Sequence, residues 1–145
     1  MHRIRYTAER ETTLAEIKMG KPSGSARKRV PAIFYRTEAG GEPVREWLLN
    51  DLSKEDRTLI GQDIMTVEFG WPIGMPVCRS MSHGVHEVRT NISSNRIARV
   101  LFYIDVKQRM VLLHGFVKKT RKTPDSDLKL ALVNKQKHAR GISDE

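Results

Sequence analysis

Four basic residues, Arg89, Arg99, Lys118 and Lys119, lie in or just beyond three strand-like runs, "VHEVRTN", "RIARVLFYIDV" and "RMVLLHGFVKK". Guanidinium forks pair bidentately with phosphate oxygens and stay ionised at every relevant pH. A lysine or histidine can exchange a proton when its surroundings move its pKa toward neutrality. Such a set fits a metal-free reaction on a phosphodiester, and RNA supplies its own nucleophile in the 2′-OH. The protein then has to align that hydroxyl, help remove its proton, stabilise the developing charge and protonate the leaving oxygen.

Period-two alternation distributes the side chains between sheet faces. In the first run Val85, Glu87 and Arg89 share a face. In the second, Arg99, Leu101 and Tyr103 oppose Ala98, Val100, Phe102 and Ile104. The uniformly apolar set predicts the helix-packed side, which leaves Arg99 and Tyr103 on the more open face, joined by Arg89 and Glu87 across the hairpin. Lys118 and Lys119 point to opposite faces, so one of them converges on the two arginines. His86, Tyr103, Arg121 and Lys122 are the further candidates for RNA contact.

The elements that position these residues read as follows. "VPAIFYRTE" (Val30 to Glu38) is a strand that Pro31 confines to an edge or to its first residues. In "EPVREWLLNDL", Val44, Trp47, Leu48 and Leu52 fall at helical spacing behind Pro43. Ser53 with Asp56 resembles a capping box opening a second helix to about Phe69. "GWPIGMPVCRSMSHG" reads as a loop. The three strands that follow are joined by "ISSN" and "KQ", short enough for hairpins. A last helix runs from about Pro124 to His138. The order strand, two helices, three strands, helix predicts an α+β fold: an antiparallel meander with an N-terminal strand, a helical hairpin on one face and a C-terminal helix. The domain organisation is a flexible basic extension over 1–28, a folded domain over 29–140 and a tail over 141–145.

Each candidate has a plainer reading. Glu87 serves as an ion-pair partner for Arg89 rather than as a base. His114, sharing parity with Leu112 and Phe116, reads as a core histidine. His83 and His86 lack the third ligand of a metal site, Cys78 has no activating neighbour, and Trp47 and Trp71 read as core. No metal or other cofactor is expected.

The chain has 145 residues, a formal charge of +9 and a pI near 10.0, and the charge is uneven. Residues 1–30 hold 8 basic and 3 acidic groups, residues 31–108 hold 9 and 10, and residues 109–140 hold 9 and 2. A basic surface gains affinity for nucleic acid by releasing phosphate counterions. The longest apolar runs, "VLFYI" and "MVLL", fall far short of the roughly 18 residues of a membrane span. The charged amino terminus lacks the apolar core of a secretory signal, and one cysteine permits no intrachain disulfide. A cytoplasmic protein with no membrane partner is expected.

"VHEVRT", "RIARVLFYIDVKQRMVLLHGFVKKTRKTP" and "DSDLKLALVNKQK", in this order, resemble the HigB/RelE-type toxins of bacterial toxin-antitoxin pairs, particularly the phage-derived HigB-like branch. The resemblance spans about Val30 to Lys137. It implies a small RelE-like fold and an mRNA endoribonuclease acting on the ribosome, held inactive by a cognate helix-turn-helix, HigA-like antitoxin. It matches Arg89, Arg99 and the pair Lys118 and Lys119 to basic positions of the family's site, and leaves proton transfer to Lys119 or His86. His86 stands where an aromatic is common, Arg121 replaces a frequent Gln, and the first 28 residues have no counterpart. The rival reading from the residues is a non-catalytic, basic nucleic-acid-binding protein of phage origin.

Overall fold

The computed structural model describes residues 27–118 and 122–143. Most of the 1–28 extension, Lys119, Arg121 and the end of the tail lie outside these residues. Eight described elements follow one another: β1 (Ala32–Phe34), α1 (Pro43–Asn50), α2 (Lys54–Gly70), β2 (Cys78–Ser80), β3 (His86–Ile92), β4 (Arg96–Ile104), β5 (Met110–Lys118) and α3 (Asp125–Ser143). The strands make one sheet in the order β1-β5-β4-β3-β2. The β2-β3, β3-β4 and β4-β5 pairs are antiparallel, and β1 runs parallel to β5. The α+β meander with an N-terminal strand, two leading helices and a C-terminal helix is thus the observed architecture, and it is consistent with a small RelE-like fold.

Both faces of the sheet are covered. Val44 and Leu48 of α1 and Ile60, Ile64 and Val67 of α2 pack on Val88, Ala98, Val100, Phe102, Met110 and Leu112. On the other face Ala131 of α3, flanked by Leu128 and Leu132, packs on Leu101, Tyr103, Val111, Leu113 and Phe116. Fully burying one such Leu, Ile or Phe contributes about 1.5–3 kcal/mol, so two clusters hold helices to both sides. The face carrying Arg99 and Tyr103 is therefore not the more open one, because α3 closes it.

Two strands differ from expectation. Of Val30–Glu38 only Ala32–Phe34 pair as a strand, although the Tyr35 N–H still donates to the Leu112 carbonyl at 3.0 Å. The stretch expected as a loop contains β2, three residues paired with the outer edge of β3. At the carboxyl end α3 continues past His138 to Ser143.

The Ser53 hydroxyl caps α2 by accepting from the Asp56 N–H at 3.1 Å. The Asp56 carboxylate itself turns to the β3–β4 turn. It accepts from the Ser93 N–H (3.1 Å), the Ser93 hydroxyl (2.8 Å) and Arg96 Nη2 (3.0 Å). Burial alone would raise the Asp56 carboxyl, but the Ser93 and Ser53 hydrogen bonds and the Arg96 charge outweigh it and hold it below its usual value. Since the folded value is depressed, its stabilisation is complete above the unfolded value near ~3.9 and is lost as pH falls through the folded one. Asp56→Asn is expected to cost about 2 kcal/mol at neutral pH and to flatten the acid limb of stability, both measurable by denaturant titration across pH.

A β-bulge breaks the β4–β5 register between Leu101 and Phe102: Phe102 pairs with Leu112, but Leu101 pairs with His114. Leu113 is the extra residue, and its carbonyl accepts from Asn134 Nδ2 of α3 at 3.0 Å. His114 is thereby turned to the α3 face, so its expected shared parity with Leu112 is overturned. Gly115 turns to the α1 face, where a Cβ would lie 2.4 Å from the Trp47 ring. Gly115→Ala is expected to cost about 1–3 kcal/mol through overpacking, read as a lower unfolding midpoint.

Candidate functional site

Register brings the central arginines together. Arg89 of β3 directly opposes Arg99 of β4, and Arg79 of β2 opposes Glu87 of β3. Directly opposed side chains start about 4.5–5.5 Å apart at Cβ. All four residues share the sheet face that carries α3. Lys118 opposes Ile97, two positions along from Arg99, and so has the same parity at the open end of that face. Lys118 is exposed.

The floor of this group is a buried polar chain. Glu87 and Arg99 have no solvent exposure. The Thr123 hydroxyl, on the segment entering α3, donates to Glu87 Oε2 and accepts from Arg99 Nη1 at 3.2 Å. Arg89 Nε lies 3.7 Å from Glu87 Oε1, with 21% of its side chain exposed. Burial lowers the Arg99 pKa, Glu87 opposes that, and the Arg89 and Arg79 charges lower it further. Arginine nevertheless remains a cation in proteins. The arrangement is a surplus of positive charge, anchored by one carboxylate, with Arg89 and Lys118 on its wet side. That fits the binding of a phosphate.

Arg99 itself was expected on an open surface and is instead sealed under Thr123 and α3. Its burial is tolerable because Glu87 supplies the countercharge. The ion pair expected between Glu87 and Arg89 is present.

The remaining candidates lie elsewhere. His86 is on the opposite face, with its ring centroid 4.8 Å from Trp71 and 5.4 Å from Phe102. Burial, then the Lys135 charge, lowers its pKa and favours the neutral imidazole. Tyr103 lies beneath α3, four residues along β4 from Arg99, or roughly 13 Å at about 3.3 Å per residue. Its hydroxyl meets His138 Nδ1 at 2.6 Å. Burial, then Asp105, raises its pKa to about 12, with Arg109 opposing. Lys122 is exposed beside Thr123, while Lys119 and Arg121 fall outside the described residues. Burial and the Glu87 charge push the Cys78 thiol up to about 11, so it is no nucleophile at neutral pH.

A cleft of about 990 Å³ opens at the far end of the sheet, lined by Tyr35, Arg36, Arg109, Lys137, His138 and Arg140 among others. It is away from the Arg89–Arg99 pair, and its volume does not make it the reactive centre. No described helix is long and apolar enough to cross a membrane.

Sequence reasoning missed Arg79 and Thr123. Arg79 sits on a strand too short to show alternation. Thr123 lies in "KKTRKTP", where the cations drew attention away from the hydroxyl. It also missed the bulge that puts Leu112 on the opposite face from His114, while the shared parity with Phe116 holds.

Comparison with protein families matches residues 47–136, more than half of the chain, to the family described as phage derived protein Gp49-like (DUF891). The matched stretch contains β2 to β5, Arg79, Glu87, Arg89, Arg99 and Thr123. Comparison with curated proteins gave no match.

Proposed function

From the premise that the chain belongs to the phage-derived, Gp49-like family, which is related to the RelE/HigB-type toxins, we propose that it is the toxin of a toxin-antitoxin pair. In this reading it is a cytoplasmic endoribonuclease that cuts mRNA on the ribosome and is restrained by a helix-turn-helix antitoxin. The observation that carries the reading is the assembly of Arg79, Arg89 and Arg99 around the single carboxylate of Glu87, with Lys118 at the exposed end.

The chemistry follows from that arrangement. Arg89 forks the scissile phosphate while Lys118 neutralises a neighbouring one, and Lys122 extends the basic rim. Arg99, held by Thr123 and Glu87, adds its charge from beneath, where low dielectric strengthens it. Fixed cations stabilise the pentacoordinate phosphorane as its negative charge grows, without reorganising at the moment of reaction.

Induction of the chain in bacteria should arrest growth and yield cleaved mRNAs. Normal growth with intact transcripts would sink the reading. A second reading, a nucleic-acid-binding protein without catalysis, is favoured by the complete burial of Arg99. It predicts RNA or DNA affinity that falls steeply with salt and no cleavage products.

A further inference from the structure

The bulge at Leu113 turns a histidine toward the arginines, and α3 supplies it with a carboxylate. His114 Nε2 lies 2.7 Å from Asp127 Oδ1, with 16% and 17% of the two side chains exposed. The imidazole stacks on Phe116 at 5.5 Å between centroids and 22° between planes, and Phe116 is the direct cross-strand partner of Arg99. His114 thus stands one diagonal from Arg99, about 7–8 Å between Cα atoms. β-Bulges recur where a side chain is re-aimed beside a reactive site, and this one is held in place by the Asn134 hydrogen bond to Leu113.

We propose that His114, oriented by Asp127, is the general base of the site. This rests on the ribonuclease reading and deepens it. A carboxylate can only accept, so Nε2 carries the hydrogen and the Nδ1 lone pair is the proton acceptor. Asp127, in the first turn of α3, fixes the ring and stabilises the imidazolium that forms, the role an aspartate plays behind a catalytic histidine. In the step itself the RNA 2′-O–H bond breaks, with its proton passing to Nδ1, as the 2′-oxygen bonds to phosphorus. The bond from phosphorus to the 5′-oxygen then breaks, and that oxygen takes a proton from water. The products are a 2′,3′-cyclic phosphate and a 5′-hydroxyl, and the imidazolium returns its proton to solvent. His86, on the other face, and Tyr103, committed to His138, do not compete for this role.

The test uses the purified full chain with mRNA on translating ribosomes, and compares His114→Ala, His114→Gln and Asp127→Asn with wild type. Base catalysis contributes about 100- to 10,000-fold, so both His114 variants should cut at least ~100-fold more slowly while binding RNA as tightly as wild type. Added imidazole should restore cleavage to His114→Ala, since removing the ring leaves its space. Asp127→Asn should cut at least ~10-fold more slowly, because an amide no longer fixes the tautomer that leaves Nδ1 free to accept. Cleavage by either folded His114 variant within twofold of wild type overturns the proposal. So does a loss that imidazole leaves untouched and that tracks lost RNA affinity, the signature of a pair that merely pins α3. Should His114→Ala not fold, His114→Gln carries the comparison. Wild type that leaves all RNA intact removes the ribonuclease reading itself, and the base with it, an outcome distinct from a variant as active as wild type.

Discussion

Arg89→Ala is expected to slow RNA cleavage by about 100- to 1000-fold, the loss typical of one donor that stabilises a transition state. Its unfolding free energy should change by only about 1 kcal/mol or less. The split follows from where Arg89 sits. Its guanidinium is partly exposed, and its Nε stands 3.7 Å from Glu87, too far for a strong hydrogen bond. Partly solvated ion pairs contribute little to stability. The same group reaches solvent where a phosphate would approach, so its loss falls on the reaction. Arg89→Lys keeps the charge but loses the fork, and should recover part of the rate. Single-turnover cleavage beside a thermal melt measures both effects. An alanine variant as active as wild type would remove Arg89 from the site.

Arg79 and Lys118 offer a contrast within the same field. Both are exposed, so their contribution is attraction for phosphate, which salt screens. Loss of either should weaken RNA binding more at low salt than at high salt.

Much of the frame was legible because the signals were local. The alternation in "RIARVLFYIDV" identified β4 and its apolar face, and Ser53 marked the start of α2. What failed depended on contacts distant in sequence. Nothing in residues 96–104 tells that α3 will close the Arg99 face, since Leu128, Ala131 and Leu132 announce an amphipathic helix but not the surface it covers. The hydroxyl that links Arg99 to its countercharge Glu87 in the interior belongs to Thr123, 24 residues away. β2 escaped because three residues cannot display a period, and with it went Arg79. The false parity of His114 with Leu112 has one cause: a single extra residue flips every later side chain of a strand relative to the earlier ones, and no propensity marks Leu113 as that residue.

The buried triad yields the largest expected loss of stability. Arg99→Ala should cost about 3–5 kcal/mol, because it leaves the fully buried Glu87 carboxylate without the buried guanidinium that shares the Thr123 hydroxyl with it. That is a large share of the 5–15 kcal/mol typical of a whole domain, so the variant should be partly unfolded or aggregate on expression. Lost activity in Arg99→Ala alone would then say nothing about chemistry. Replacing the set together separates the two roles. In Glu87→Met, Arg99→Leu, Thr123→Val no charge or hydroxyl is stranded, and exchanges of this kind for apolar residues of similar volume are often neutral or stabilising. The triple variant should therefore melt near wild type, and denaturant unfolding is the check. Two outcomes of a cleavage assay then have distinct meanings. A folded triple variant that has lost cleavage ~100-fold or more assigns the buried set a part in the reaction, through the Arg99 charge or through the Glu87 contact that holds Arg89. One that cuts RNA at the wild-type rate makes Arg99 a structural ion, and leaves the reaction to Arg89, the lysines of the rim and the His114–Asp127 pair.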